Sequence, residues 1–210
     1  MATGDFYANA ISKAFGGNIT WGTSVKVALL TASYTPNLNT DTFWGDISAA
    51  EATGTGYTSG GAALASPTNT VTAANSWSTQ WAGTTAYTVG AIVRPTSGNG
   101  FLYRATTAGT SAGSAPTWPT VIGANVSDGG VAWDCIGTAI TRLGATNPSW
   151  DASGGSLTAR YAVFYYSTGT ASTSPLIGVV DQGTAVTATN ASFTVQADPN
   201  ISAFFPFFSS

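Results

Sequence analysis

The chain has no histidine, one cysteine and one methionine, and only 7% of its 210 residues are charged, against about 25% in an ordinary soluble domain. Each shortage removes a class of function. Without histidine there is no imidazole to serve as general base, to ligate a metal or to complete a Ser-His-Asp or Cys-His arrangement. With Cys135 as the only cysteine, no internal disulfide forms, which excludes a secreted disulfide scaffold. Its neighbours Trp133 and Ile136 indicate a buried thiol, and without a histidine partner it is no nucleophile. The six basic residues, Lys13, Lys26, Arg94, Arg104, Arg142 and Arg160, are scattered and the formal net charge is −3. No basic patch for direct nucleic-acid binding is built this way. No apolar run approaches the ~20 residues of a membrane span, and MATGDFYANAISKAF lacks the leader pattern of a signal peptide, so cytoplasmic synthesis without membrane insertion is expected.

Catalysis would have to rest on carboxylates. The nine Asp and Glu residues are spread thinly over turn positions such as Asp41, Asp46, Asp128 and Asp151, where they read as solvated turn and cap residues. None forms the spacing of a calcium loop. The glycines of EATGTGYTSGG lack the lysine of a phosphate loop. The expectation is a non-enzymatic protein with no cofactor and no metal.

What remains is Gly, Thr, Ser, Ala and aromatics arranged as strands. Phe6, Ala10, Ile11, Ala14 and Phe15 are spaced for one short N-terminal helix, stopped by Gly16-Gly17. Ile19 and Trp21 alternate with polar residues and predict a strand paired with Val25 to Leu30. Glycine density from Gly54 to Gly61 predicts sharp turns and a bent edge strand over residues 62–65. Asn99-Gly100, between apolar runs, is a strong hairpin signal. A further strand is predicted over Val131 to Ile136. LTARYAVFYYS is apolar on both faces and predicts a central strand. PLIGVVDQG and ASFTVQAD are expected to pair with each other. The fold class is all-β. A sandwich- or barrel-like domain is expected from residues 1–80 and 138–210, interrupted by a small three-stranded module over residues 81–137.

Two resemblances follow from these stretches. VALLT, GYTSGGAAL, PSWDASGGSLTARYAVFYY and PLIGVVDQG, in that order, resemble a family of tailed-bacteriophage virion structural proteins. That resemblance implies a head decoration (cement) protein on the capsid exterior, with the major capsid protein as partner, or a tail-associated component with tail proteins as partners. The central stretch resembles the small carbohydrate-binding modules attached to chitinases, also met as inserts in phage proteins. Trp81, the Ala86-Tyr87-Thr88-Val89-Gly90 turn, Val93, Tyr103-Arg104 and Trp133 carry that likeness.

It implies that Trp81, Tyr87, Tyr103, Trp118 and Trp133 could present faces to pyranose rings of a glycan. The same aromatics equally serve as the core of a unit too small to fold without them. Trp118, flanked by prolines, is expected to be the most exposed. A surface this poor in charge suits an assembly that covers it, and a homotrimer is expected. Phe204, Phe205, Phe207 and Phe208 in the tail and Arg160 in the longest strand are the candidate subunit or capsid contacts. For Arg160 the alternative is an arginine whose stem packs on Tyr161 or Tyr165.

Overall fold

The structure, a computed structural model, describes residues 3–196 and, for backbone only, residues 205–209. The chain is all-β. The first half contributes strands β1 (Thr3–Phe6), β2 (Val25–Leu30), β3 (Ala62–Ala63), β4 (Thr68–Ala73), β5 (Ala86–Tyr87), β6 (Ile92–Val93), β7 (Leu102–Thr107) and β8 (Gly109–Thr110). The second half adds β9 (Asn125–Asp128), β10 (Val131–Gly137), β11 (Ala139–Gly144), β12 (Ser149–Asp151), β13 (Ser156–Tyr166), β14 (Leu176–Thr189), β15 (Ser192–Thr194) and β16 (Phe205–Ser209). Among the described residues two short α-helices accompany them, α1 (Ala8–Phe15) and α2 (Trp44–Ile47), where the sequence indicated one. Two compact units result: Met1–Asn69 with Leu143–Phe205, and Thr70–Arg142 with Pro206–Ser210. The boundaries drawn from sequence at residues 80/81 and 137/138 fall inside the second of these.

The first unit is organised on β13. Its side chains are apolar on both faces, so it can lie only where both are covered, and it sits in the middle of the sheet β1-β14-β13-β2-β3. Tyr161, Val163 and Tyr165 point into a cluster with Tyr7, Ala28, Leu30, Trp44 and Leu176. Trp44 stacks on Tyr165 at 4.9 Å between ring centres, and Tyr34 meets Tyr161 edge-on at 5.5 Å. On the opposite face Phe164 stacks against Trp21 at 5.9 Å. β3 closes the sheet as a two-residue edge strand, where the glycine-rich turn predicted one.

Three local expectations are corrected. Residues at the start of the predicted helix form β1 instead, paired antiparallel with β14 from Thr3↔Asp181 to Phe6↔Gly178. Of the apolar stripe on α1 only Ala10 is buried, while Ile11 and Phe15 face out, Phe15 at 90% exposure. Ile19 and Trp21 lie outside any strand; Trp21 instead donates its indole N–H to Gly144 O at 2.9 Å. PLIGVVDQG runs on as a single 14-residue strand against β13, and ASFTVQAD pairs with β12 through Trp150↔Phe193. Hydrophobic alternation misses this because Gly178 and Gly183 interrupt the pattern without ending the strand.

Three of the four stretches that carry the phage resemblance interlock in this unit. VALLT lies largely in β2 and TARYAVFYY in β13, which pair from Tyr161↔Leu30 to Tyr166↔Val25. GYTSGGAAL folds over them. Tyr57 donates its hydroxyl to Glu51 Oε1 at 2.7 Å while accepting Leu29 N–H at 3.0 Å. Ser59 Oγ and Gly60 N donate to the same carboxylate, and Tyr165 donates to Gly60 O at 2.6 Å. Desolvation and the Glu51 contact push the Tyr57 hydroxyl well above its ordinary value. Gly61, at φ +68°, brings its backbone so close that a Cβ would sit 1.9 Å from Val27 O. Only glycine fits there.

The second unit holds the sheet β6-β7-β10-β9, the pair β5-β8 and the sheet β16-β11-β4. It is therefore richer than the three strands expected. The Asn99-Gly100 turn leads into β7, which pairs with β6 through Arg104↔Ile92 and Tyr103↔Val93. β10, the strand expected over Val131–Ile136, pairs with both β7 and β9 and so lies inside the sheet. Where the chain leaves and rejoins the first unit, Thr146 N–H donates to Ala65 O at 2.9 Å. Within the second unit Ala74 N–H donates to Thr138 O at 2.7 Å.

Candidate functional site: the aromatic cluster

Strand alternation places Trp133 and Cys135 on one face of β10, opposite Tyr103 and Ala105 of β7. Together with Trp81, Val93 and Val131 they form the core of the second unit, and Tyr87, Phe101, Trp118 and Val126 pack against it partly buried. The rings meet edge-on or tilted. Tyr87 meets Trp133 at 4.9 Å and 75°, Trp118 meets Tyr103 at 4.3 Å and 43°, and Trp118 meets Trp133 at 6.0 Å and 60°. Mutually inclined rings satisfy their quadrupoles within the protein. A coplanar platform for sugar stacking is not what they form.

The orienting group is Asp128, at the end of β9 and only 2% exposed. Its Oδ2 accepts the indole N–H of Trp81 at 2.7 Å and of Trp133 at 2.9 Å, and its Oδ1 accepts Ala112 N–H at 2.9 Å. One carboxylate thus fixes both tryptophans and the start of the long loop between β8 and β9. Ser111, 5% exposed, adds a second tie, accepting Thr85 N–H at 3.0 Å and donating to Ala82 O at 2.8 Å. Tyr103 donates to Pro119 O at 2.7 Å and accepts from Asn99 Nδ2 at 2.7 Å; desolvation raises its hydroxyl above the ordinary value. Burial likewise pushes the Cys135 thiol up, consistent with the inert, enclosed cysteine expected.

Of the five sequence-predicted aromatics, Trp81, Tyr103 and Trp133 are buried, and Tyr87 and Trp118 half-buried. Trp118 is therefore not the exposed exception. Its ring packs against Tyr103, Trp81 and Trp133, and its Nε1 is shielded with no hydrogen-bond partner among the described residues. Asp128 was legible only as a turn acid. The one sequence signal that could have found it is its position at the mouth of a tight Gly129-Gly130 hairpin feeding a tryptophan strand.

Of the other candidates, Arg160 and Phe205 fall in the first unit and Phe207 and Phe208 in the second. Arg160 makes a two-point ion pair within its own chain, Nε to Asp181 Oδ1 at 3.0 Å and Nη2 to Oδ2 at 3.1 Å. Its guanidinium stands 4.8 Å from the Tyr161 ring centre, which is the packing alternative stated above. Phe204 lies outside the described residues, and Phe205, Phe207 and Phe208 are described only as backbone of β16. A groove of about 680 Å³ runs between the end of β14 and β15, lined by Gln182, Val186, Thr189, Phe193 and Gln196 among others. Among the described residues no charged or titratable side chain lines it. Among the described residues no three His, Cys, Asp or Glu side chains come together, and no helix is long and apolar enough to cross a membrane.

The chain matches no family model, no curated protein and no solved structure.

Proposed function

We propose that the chain is a non-enzymatic structural protein of a tailed-phage particle, a capsid decoration protein that binds the assembled shell as a homotrimer and carries the aromatic unit as a displayed module. The observation that carries this reading is the interlock of β2, β13 and the Tyr57–Gly61 turn. The stretches resembling phage virion proteins are dispersed in sequence, yet they touch one another through Glu51 and Tyr165. What supports the reading is that these stretches build one core and not separate surface segments. The use made of the carboxylates agrees with it. Asp41, Asp46, Glu51, Asp128, Asp134, Asp151 and Asp181 all accept hydrogen bonds from neighbouring loop, strand or turn groups of the same chain, the work of a scaffold.

The test is to mix the purified chain with preformed shells and count bound copies. Saturation at a number set by icosahedral symmetry supports decoration; labelling at the tail of intact particles, with no binding to shells, overturns it. The alternative, a tail protein that recognises host glycans by stacking, requires an open aromatic face. Tyr87, Phe101 and Trp118 keep partly accessible rings in the cluster, so a glycan array probed with the wild type and Trp118→Ala separates the two readings.

A further inference from the structure

The second unit contains the chain's one Asn-Gly dipeptide, Asn99-Gly100. Gly100 adopts φ +84°, and nothing lies within 4 Å of where a Cβ would be, so packing does not crowd that side of the backbone. Asn99 also has a structural task. Its Oδ1 accepts Phe101 N–H at 3.1 Å, which fixes the amide orientation and leaves Nδ2 to donate to Tyr103 OH at 2.7 Å. Tyr103 in turn donates its O–H to Pro119 O at 2.7 Å. This relay runs in one direction, from the hairpin to the residue beside Trp118.

We propose that Asn99 is a self-modification site whose deamidation releases the loop carrying Trp118. The nitrogen of Gly100 attacks Asn99 Cγ and loses its proton to solvent. The new N–Cγ bond closes a succinimide, the Cγ–Nδ2 bond breaks and Nδ2 leaves as ammonia. Water then opens either imide carbonyl, giving aspartate or isoaspartate with no change in oxidation state. The product has no donor toward Tyr103. The single Tyr103 proton must serve either the new carboxylate or Pro119 O, and a charged acceptor outcompetes a neutral carbonyl. Pro119 O loses its partner and the loop loses its tie to β7. In the isoaspartate product the main chain gains a methylene, and the Asn99 Oδ1 contact to Phe101 N–H is lost as well.

The experiment uses the full chain as wild type, Gly100→Ala and Asn99→Asp. After incubation at mildly alkaline pH, peptide mass mapping is expected to find the amide-to-acid change at residue 99 in the wild type and its suppression in Gly100→Ala. If folded wild type keeps its Asn99 amide while the urea-unfolded chain converts, the fold protects the site and the proposal fails. In Asn99→Asp, oxidation of Trp118 by N-bromosuccinimide should run several-fold faster than in the wild type, with Trp133 still protected. An unchanged Trp118 rate overturns the coupling. So does equal exposure of Trp133, because the whole unit would then have opened.

Discussion

Replacing Asp128 by Asn tests whether one carboxylate organises the aromatic cluster. In the native unit three N–H groups converge on it, two indoles on Oδ2 and Ala112 on Oδ1. An amide can keep only one side of this arrangement. If its oxygen stays with the indoles, its NH2 confronts Ala112 N–H; turned the other way, it confronts two indole N–H groups. The first orientation strands one buried donor, at about 1–3 kcal/mol. It also weakens the two surviving bonds by about 1 kcal/mol, since they lose their charged acceptor. Against this stands the lower cost of burying a neutral amide rather than a carboxylate. The net is a loss of about 2 kcal/mol, confined to the second unit.

A unit-specific reporter already exists. Cys135 is the only thiol, 1% exposed on β10, so it reacts with a thiol reagent only when that unit opens. With closing fast relative to labelling, the rate follows the opening equilibrium, and about 2 kcal/mol becomes a rate increase of roughly 30-fold. A change below about threefold, less than ~0.7 kcal/mol, would refute the assignment of Asp128 as the organiser.

Glu51→Gln should cost less than Asp128→Asn, about 1 kcal/mol in urea unfolding. Ser59 hydroxyl can reverse from donor to acceptor to meet the new amide, whereas a backbone or indole N–H cannot; Glu51→Ala, which strands Gly60 N–H and both hydroxyls, should cost about 2–3 kcal/mol. Gly61→Ala combines a positive φ with a Cβ driven into Val27 O, and a loss above ~3 kcal/mol or failure to fold is expected on thermal denaturation. The Arg160 guanidinium beside Asp181 holds that carboxyl below its usual value. Its contribution is therefore present above about pH 4 and lost as pH falls through the lowered folded value. With both side chains about a third exposed, Asp181→Asn should remove no more than about 0.5 kcal/mol of acid dependence, read as urea midpoints between pH 5 and pH 2.

The sequence carried the central strands and lost the edges. β13 is read directly because apolar residues on both faces leave it no position but an interior one; β10 is read as a strand, though not as a central one, and the strands flanking Asn99-Gly100 do pair, across a loop longer than two residues. The end of β1 falls inside the predicted helix because its four residues have no periodicity of their own; what makes them a strand is the free edge of β14. β14 extends through Asp181 to Thr189 because β13 continues beside it, which no pattern within those residues announces. In the aromatic unit the ring inventory was visible but not the ring angles. Whether tryptophans form a platform or a core depends on which way their N–H groups are pulled, and Asp128, the group that pulls them, is distant in sequence from Trp81. Five aromatics in a short stretch look alike in either role.

The hydrogen bond from Thr146 N–H to Ala65 O gives the first unit a property of its own. The two points at which its chain is interrupted are already neighbours, so its fold sets no demand on the length of what is spliced between them; only the modest closure entropy of the guest grows with size. The first unit thus behaves as a socket. A short turn would seal it, and a different domain with adjacent ends would plug into it, leaving the β13-centred sheet to fold on the same contacts.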